Sequence, residues 1–163
     1  MQSRFLTCSL LLLTPIRCAI LAPEVGVLSG LSQAAAPVSE PYVQVSSVSI
    51  EPATIHKTEN SNTATVIVQV FVLGQVPPNP RAVIEVGTYS SDPPNNELKY
   101  ENPTRTVSLV KGVTVVKFKV ETTPKTIQGK IKVAVTLGGA TKGINIKDSE
   151  PKDYIAEVTV LDR

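Results

Sequence analysis

The chain has no tryptophan, and aromatic residues make up 4% of its 163 positions. That leaves little material for the aromatic platforms on which glycans commonly stack. It has one histidine, His56, in the polar segment HKTEN. No second ligand or base stands near it in sequence, so it reads as a solvated loop histidine. There is no Gly-x-Ser-x-Gly elbow to present a nucleophile. The two cysteines, Cys8 and Cys18, both lie in the first 36 residues. A chain trimmed after that point has no thiol chemistry, no disulfide and no cysteine–zinc site. Its core must then suffice, and roughly 120 residues can bury enough surface for that. Charge is nearly balanced at a net +2, which argues against a nucleic-acid partner or a strongly acidic one. No apolar run reaches the ~20 residues of a membrane span, so the mature chain is expected to carry no integral membrane segment.

What is present begins with a leader. Met1 to Arg4 is a short basic start, and Phe5 to Leu13 (FLTCSLLLL) is an apolar run of signal-peptide length. A milder apolar stretch, Cys18 to Leu31, leads to the small-x-small site Ala34-Ala35-Ala36. Residues 1–36 therefore read as a secretory signal peptide cut after Ala36, although Arg17 interrupts the run and the leader is long. The expected location is secreted or in the cell envelope, at the periplasm or cell surface. Pro15-Ile16-Arg17 ahead of Cys18 does not make a lipid-attachment signal. The only Asn-x-Thr triplet, Asn102-Pro103-Thr104, is blocked by its proline, which fits a bacterial origin.

After the leader, residues 37–45 form a linker and the start of a first strand, and 46–163 form one domain. Thr63 to Leu73 (TATVIVQVFVL) alternates strictly, with Ala64, Val66, Val68, Val70 and Val72 on one face. Such period-2 patterning in β-branched residues marks a half-buried strand. It is too apolar for an exposed edge, so it is placed centrally. Tyr42 to Ile50 is a first strand with Val48 and Ile50 inward, and Pro52 is expected to kink it toward the other sheet. Arg81 to Tyr89 is a strand before the turn cluster Ser90 to Asn96. Leu98 to Tyr100 is a short edge, and Thr104 to Val110 turns Val107 and Leu109 inward. Val113 to Thr122 turns Val116, Phe118 and Val120 inward, and Lys130 to Leu137 does the same with Ile131, Val133, Val135 and Leu137. Gly138 to Lys152 reads mostly as loop, and Asp153 to Leu161 closes the chain with Tyr154, Ala156, Val158 and Val160 on one face. Thirteen prolines and the spaced turn signals fit the same reading. The fold class is all-β: a two-sheet antiparallel sandwich of about seven strands.

Five segments carry a resemblance. They are SSVSIEPATI (46–55), TATVIVQV (63–70), SLVKGVTVVKFKVETTP (108–124), KIKVAVTLGGATKG (130–143) and AEVTVL (156–161). Together they resemble the bacterial immunoglobulin-like repeats of surface and secreted proteins. Such modules open on Val-Ser-Ile-x-Pro-Ala, carry a Gly turn before a Phe-x-Val strand and end on Thr-Val. The resemblance spans Ser46 to Leu161 and implies an Ig-like sandwich serving as a spacer, adhesion or binding module. Two departures stand out: the domain is single, and Ile144 to Lys152 (INIKDSEPK) exceeds the short hairpin usual there.

Chemistry-bearing residues are few. Asp148, Glu150 and Asp153 form the densest acidic group, but Lys147 and Lys152 neutralise it and the spacing fits no EF-hand. It reads as a solvated loop, and no cofactor or metal is expected. Lys117 and Lys119 fall on one sheet and Lys130 and Lys132 on the other, as outward charges that keep exposed sheets apart. The candidate binding site is geometric. In an Ig-like sandwich the loop Gly74 to Pro80, stiffened by Pro77, Pro78 and Pro80, shares an end with the enlarged loop Gly138 to Lys152. Gln75, Pro78, Asn79, Asn145, Lys147 and Asp148 are the residues expected to meet a partner there, an envelope protein or a polysaccharide. The function expected is non-catalytic: binding, adhesion or structural support. The alternatives are an accessory subunit docking by strand addition and a carbohydrate-binding module.

Overall fold

The computed structural model of the chain describes residues 39–57, 62–148 and 154–162, all within one compact unit, Ala35–Arg163. The leader with Cys8 and Cys18, and Glu150, Lys152 and Asp153 of the acidic group, lie outside the described residues.

The strictly alternating segment becomes β3 (Thr63–Leu73), the middle strand of the first sheet. Ala64, Val66, Val68, Val70 and Val72 are all buried, four of them completely. Each such valine contributes about 1.5–3 kcal/mol by leaving water. Flanking β3 are β1 (Tyr42–Glu51) and β7 (Gly112–Glu121), both antiparallel to it. Short strands finish the edges, β5 (Lys99–Glu101) beside β7 and β9 (Asn145–Ile146) beside β1.

The second sheet is centred on β8 (Gly129–Gly138), between β4 (Arg81–Asp92) and β10 (Ile155–Leu161). Its edges are β6 (Thr104–Ser108) and β2 (Thr54–His56). Ala82, Ile84 and Val86 of β4, Ile131, Val133 and Val135 of β8, and Val158 and Val160 of β10 turn inward and are buried. They meet the β3 valines, Phe118 and Val120 in one core. With β1, β3 and β7 taken as strands A, B and E, and β4, β8 and β10 as C, F and G, the two sheets carry the strand order of an immunoglobulin-like sandwich.

The expected sandwich of about seven strands is present, with additions at its edges. Seven strands of five to twelve residues form the frame, and three of two or three residues are added at the edges. Two of the short ones pair in parallel, β9 with β1 and β2 with β10, so the sandwich is not wholly antiparallel. The switch of sheets at Pro52 is present, since β1 lies in the first sheet and β2 in the second. β4 runs on to Asp92, past the expected turn at Ser90, because a bulge between Thr88 and Ser90 lets Ser90, Ser91 and Asp92 keep pairing with β8. The loop expected over 138–152 contains β9, whose Asn145 and Ile146 pair with Tyr42 and Val43.

Candidate functional site

The two loops singled out in the sequence do share an end of the sandwich. Arg81, directly after the first loop, donates its N–H to Thr141 Oγ1 at 2.8 Å, and Thr141 N–H donates back to the Arg81 carbonyl at 2.9 Å. Gly74 opens the first loop at φ +92°, pressed against the main chain of Pro41 so closely that a Cβ would lie 2.7 Å from Pro41 Cα. Glycine is the residue that takes this conformation without penalty.

The candidate residues divide into two sets. Asn145 and Lys147 are tied to the first strand. Asn145 N–H donates to the Pro41 carbonyl, its side-chain amide donates to Glu40 Oε2 at 2.8 Å, and Lys147 N–H donates to the Val43 carbonyl. Lys147 Nζ stands 5.1 Å from the centroid of the Tyr42 ring, within cation–π range. Gln75, Pro78 and Asn79 are exposed on the first loop, Asn79 at φ +51°. A groove of about 380 Å³ opens between the sheets beside β1 and β8. Lys147 and Asp148 line it together with Val45, Leu137, Ile146 and Tyr154, and no residue of the first loop reaches it. The six residues therefore share one end of the fold without converging on one concavity.

No group of three or more His, Cys, Asp or Glu side chains able to hold a metal occurs among the described residues. His56 is the last residue of β2, opposite Leu161, and not part of a free loop as expected. Lys117 and Lys119 stand on the first sheet and Lys130 on the second, with Lys119 paired to Glu121 at 2.7 Å and Lys130 to Glu157 at 3.0 Å. Hydrogen bonding to Glu121 raises the Lys119 pKa, and the same bond lowers that of the Glu121 carboxyl.

A second surface emerges at β7. β3 pairs with it from Gly112 to Glu121 on one side. On the other side β5 pairs only with Lys119, Val120 and Glu121, and among the described residues nothing pairs with the remainder. The Lys117 carbonyl faces this open side, because it accepts a hydrogen bond at 2.9 Å from Arg105 Nη1 on β6, in the other sheet. Backbone groups alternate along an antiparallel strand, so Val113 and Val115 turn N–H and C=O to the same side. Their side chains are themselves exposed, 50% and 53%. Phe71 stands opposite Val113 on the same outer face, with exposed Leu73 beyond it and Val110 at the start of the crossover. An uncovered edge with apolar side chains is the feature that sheet proteins normally blunt.

Sequence reasoning passed over one more place. Tyr89, at the β4 bulge, is 62% exposed beside a shallow dish of about 290 Å³ lined by Thr88, Ser90, Ser91, Pro94, Asn95 and Glu97. Bulges re-aim side chains, and nothing in the alternation alone announces that. The floor is rigid. Asn96, 2% exposed, donates to the Ile127 carbonyl and accepts from the Ile127 N–H, while Thr126 Oγ1 donates to the Glu97 carbonyl.

No protein-family model matches the chain, and no curated protein matches it in sequence. Among solved structures, the chain is similar to the CARDB domain of a Pyrococcus furiosus protein, solved in complex with di-metal ions. Identity there is 19%, coverage 76% of this chain and 96% of that one, and the TM-score 0.42. It is similar also to the apo form of a Calx CBD1 domain, at 18% identity over 75% of this chain and 98% of that one, with a TM-score of 0.41. WR4, a C. elegans member of the MSP family, follows at 12% identity, 71% and 99% coverage and a TM-score of 0.34. The strand order itself carries the Ig-like assignment.

Proposed function

We propose that the chain is a non-catalytic binding module of the cell exterior that docks a protein partner by strand addition along β7. One observation carries this reading: on the side away from β3, Gly112 to Phe118 of β7 have no partner strand among the described residues, and Val113 and Val115 turn outward there together with Lys117. Main-chain hydrogen bonds would supply affinity, and side chains on the outer face specificity. The loop end with Gln75, Pro78, Asn79, Asn145, Lys147 and Asp148 is a further contact surface in this reading, stiffened by three prolines and by the Arg81–Thr141 bonds. The non-catalytic part of the reading rests on the sequence, which holds one histidine and no nucleophile elbow. The exterior location rests on the leader pattern.

Two measurements test it. Fractionation of the source cells with N-terminal sequencing is expected to find a chain beginning at Pro37 in the envelope or medium; an uncut chain in the cytosol overturns the location. Pull-down from envelope extract is expected to enrich one defined protein that Val115→Pro no longer retains. Equal retention by both chains removes strand addition as the docking mode.

A carbohydrate reading has its own observation, the exposed Tyr89 face ringed by hydroxyl, amide and carboxylate groups. Titration of the chain with envelope polysaccharide, against Tyr89→Ala, tests it: heat of binding lost in the variant supports it, and no heat in either chain ends it.

A further inference from the structure

Resting on the strand-addition reading, we infer that the strand accepted by β7 comes from a different protein and is short, apolar at alternate positions and acidic at its flanks. Length is set by what bounds the open stretch. At one end is the turn at Gly112, φ +95°. At the other, Arg105 already occupies the Lys117 carbonyl, and β5 begins at the level of Lys119. Among the described residues no strand pairs the N–H and C=O groups of Val113 and Val115 or the N–H of Lys117 on this side, enough for a segment of about five residues at ~3.3 Å each.

Composition is set by what faces that segment. Residues directly opposite each other in a sheet share a face and touch. Positions opposite Val113 and Val115 join an outer face that already holds Phe71 and Leu73, so apolar side chains there extend it. Beyond them on either side stand Lys111 and Lys117, which enter no ion pair among the described residues. The acids of this region, Glu101 and Glu121, are placed at the β5 end, where Glu121 binds Lys99 and Lys119.

The same charges disfavour a second copy of this chain. Antiparallel pairing of two β7 strands with Val113 opposite Val115 sets Lys111 against the second copy's Lys117. Pairing centred on Val115 sets Lys111 against the second copy's Lys119. Lys111 precedes β7, so in both registers these like charges meet at the end of the ladder, where they oppose pairing. The register centred on Val113 overlaps only from Gly112 to Thr114, because β7 starts at Gly112.

The test uses the full chain and two fluorescein-labelled peptides, Glu-Thr-Val-Thr-Val-Thr-Glu and the same core flanked by lysine. Fluorescence anisotropy is expected to show saturable binding of the acidic peptide, at least about fivefold tighter than the lysine-flanked one. The preference is expected to invert in a Lys111→Glu, Lys117→Glu chain and to weaken with salt. Val115→Pro removes an N–H that faces solvent, a position where an edge strand tolerates proline. It is expected to abolish binding, and N-methylation of the peptide backbone reads out the same bonds without altering the protein. Equal binding of both peptides, lost on N-methylation, overturns the acidic-partner inference and leaves strand addition standing. Absence of binding by either peptide overturns both. A dimer in sedimentation that Val115→Pro dissociates overturns the choice of a different protein.

Discussion

Arg105 on β6 donates to the Lys117 carbonyl on β7 at 2.9 Å, and its guanidinium lies 5.0 Å from the centroid of the Phe118 ring. One side chain thus joins the edge of one sheet to the open edge of the other. Phe118 itself is fully buried, so the contact anchors the arginine against the core's margin.

Arg105→Ala is expected to cost about 1–2 kcal/mol, from a charge-assisted hydrogen bond and a partly exposed cation–π contact. It also frees the Lys117 carbonyl and lengthens the open edge of β7. Urea unfolding is expected to show the lower midpoint, and anisotropy with the acidic peptide is expected to show tighter binding. A variant that loses stability without gaining affinity argues that the edge is not where strands add.

Asn96 is buried, with both functions of its side-chain amide used on Ile127, at 2.6 and 2.9 Å. Asn96→Ala leaves a carbonyl and an N–H without these partners, at about 2–3 kcal/mol. Asn96→Asp keeps an acceptor but loses the donor and buries a charge, so it is expected to be no better. Thermal melts of both variants check this. Heat of polysaccharide binding at the neighbouring Tyr89 is expected to fall with them, because Asn96 fixes the loop that carries Asn95 and Glu97.

Tyr100 on β5 shares a hydrogen bond with Thr88 Oγ1 at 2.9 Å across the sandwich. Burial, the largest cause, pushes its phenol up to about 12; the Thr88 bond works in the opposite direction and the Glu97 charge adds to the rise. The folded chain therefore holds this proton where the unfolded chain has lost it. Stability from Tyr100 is complete below about pH 10 and is lost as pH rises from there through about 12. Unfolding free energy followed from pH 9 to 12 is expected to fall more steeply for the native chain than for Tyr100→Phe. The variant is expected to start about 1 kcal/mol lower at neutral pH, for want of the Thr88 bond. Parallel curves would locate the alkaline sensitivity elsewhere.

Much of the frame was legible because alternation is a strong signal over long strands. The valines of β3, the inward sets of β7 and β8, and the sheet switch at Pro52 all stand where the pattern places them. β1 was harder. Val43 and Val45 are buried, then Ile50, with Val48 packed against the core. The phase slips between Val45 and Val48, and the register shifts there, with Ser46 Oγ donating to the Gln69 carbonyl. A bulge is invisible to a strict period of two. β9 has two residues, too few to show any period. The alternation that turns Val116, Phe118 and Val120 inward also turns Val113 and Val115 outward, so their exposure was readable. That their backbone faces no neighbour depends on how far β5 extends, and only the pairing register gives that.

The register also fixes how the sandwich meets force. β1 enters at the loop end, where Tyr42 stands opposite Leu73, and β10 leaves near the far end, where Val160 stands opposite Gly129. A pull between these points runs along the strands. The β1–β3 ladder and the parallel contact of Thr54, Ile55 and His56 with Thr159, Val160 and Leu161 are then loaded in shear, their bonds strained together and not peeled one after another. Under such a load the mechanical strength of the sandwich lies in β1 and β2, on the opposite margin from the unpaired stretch of β7.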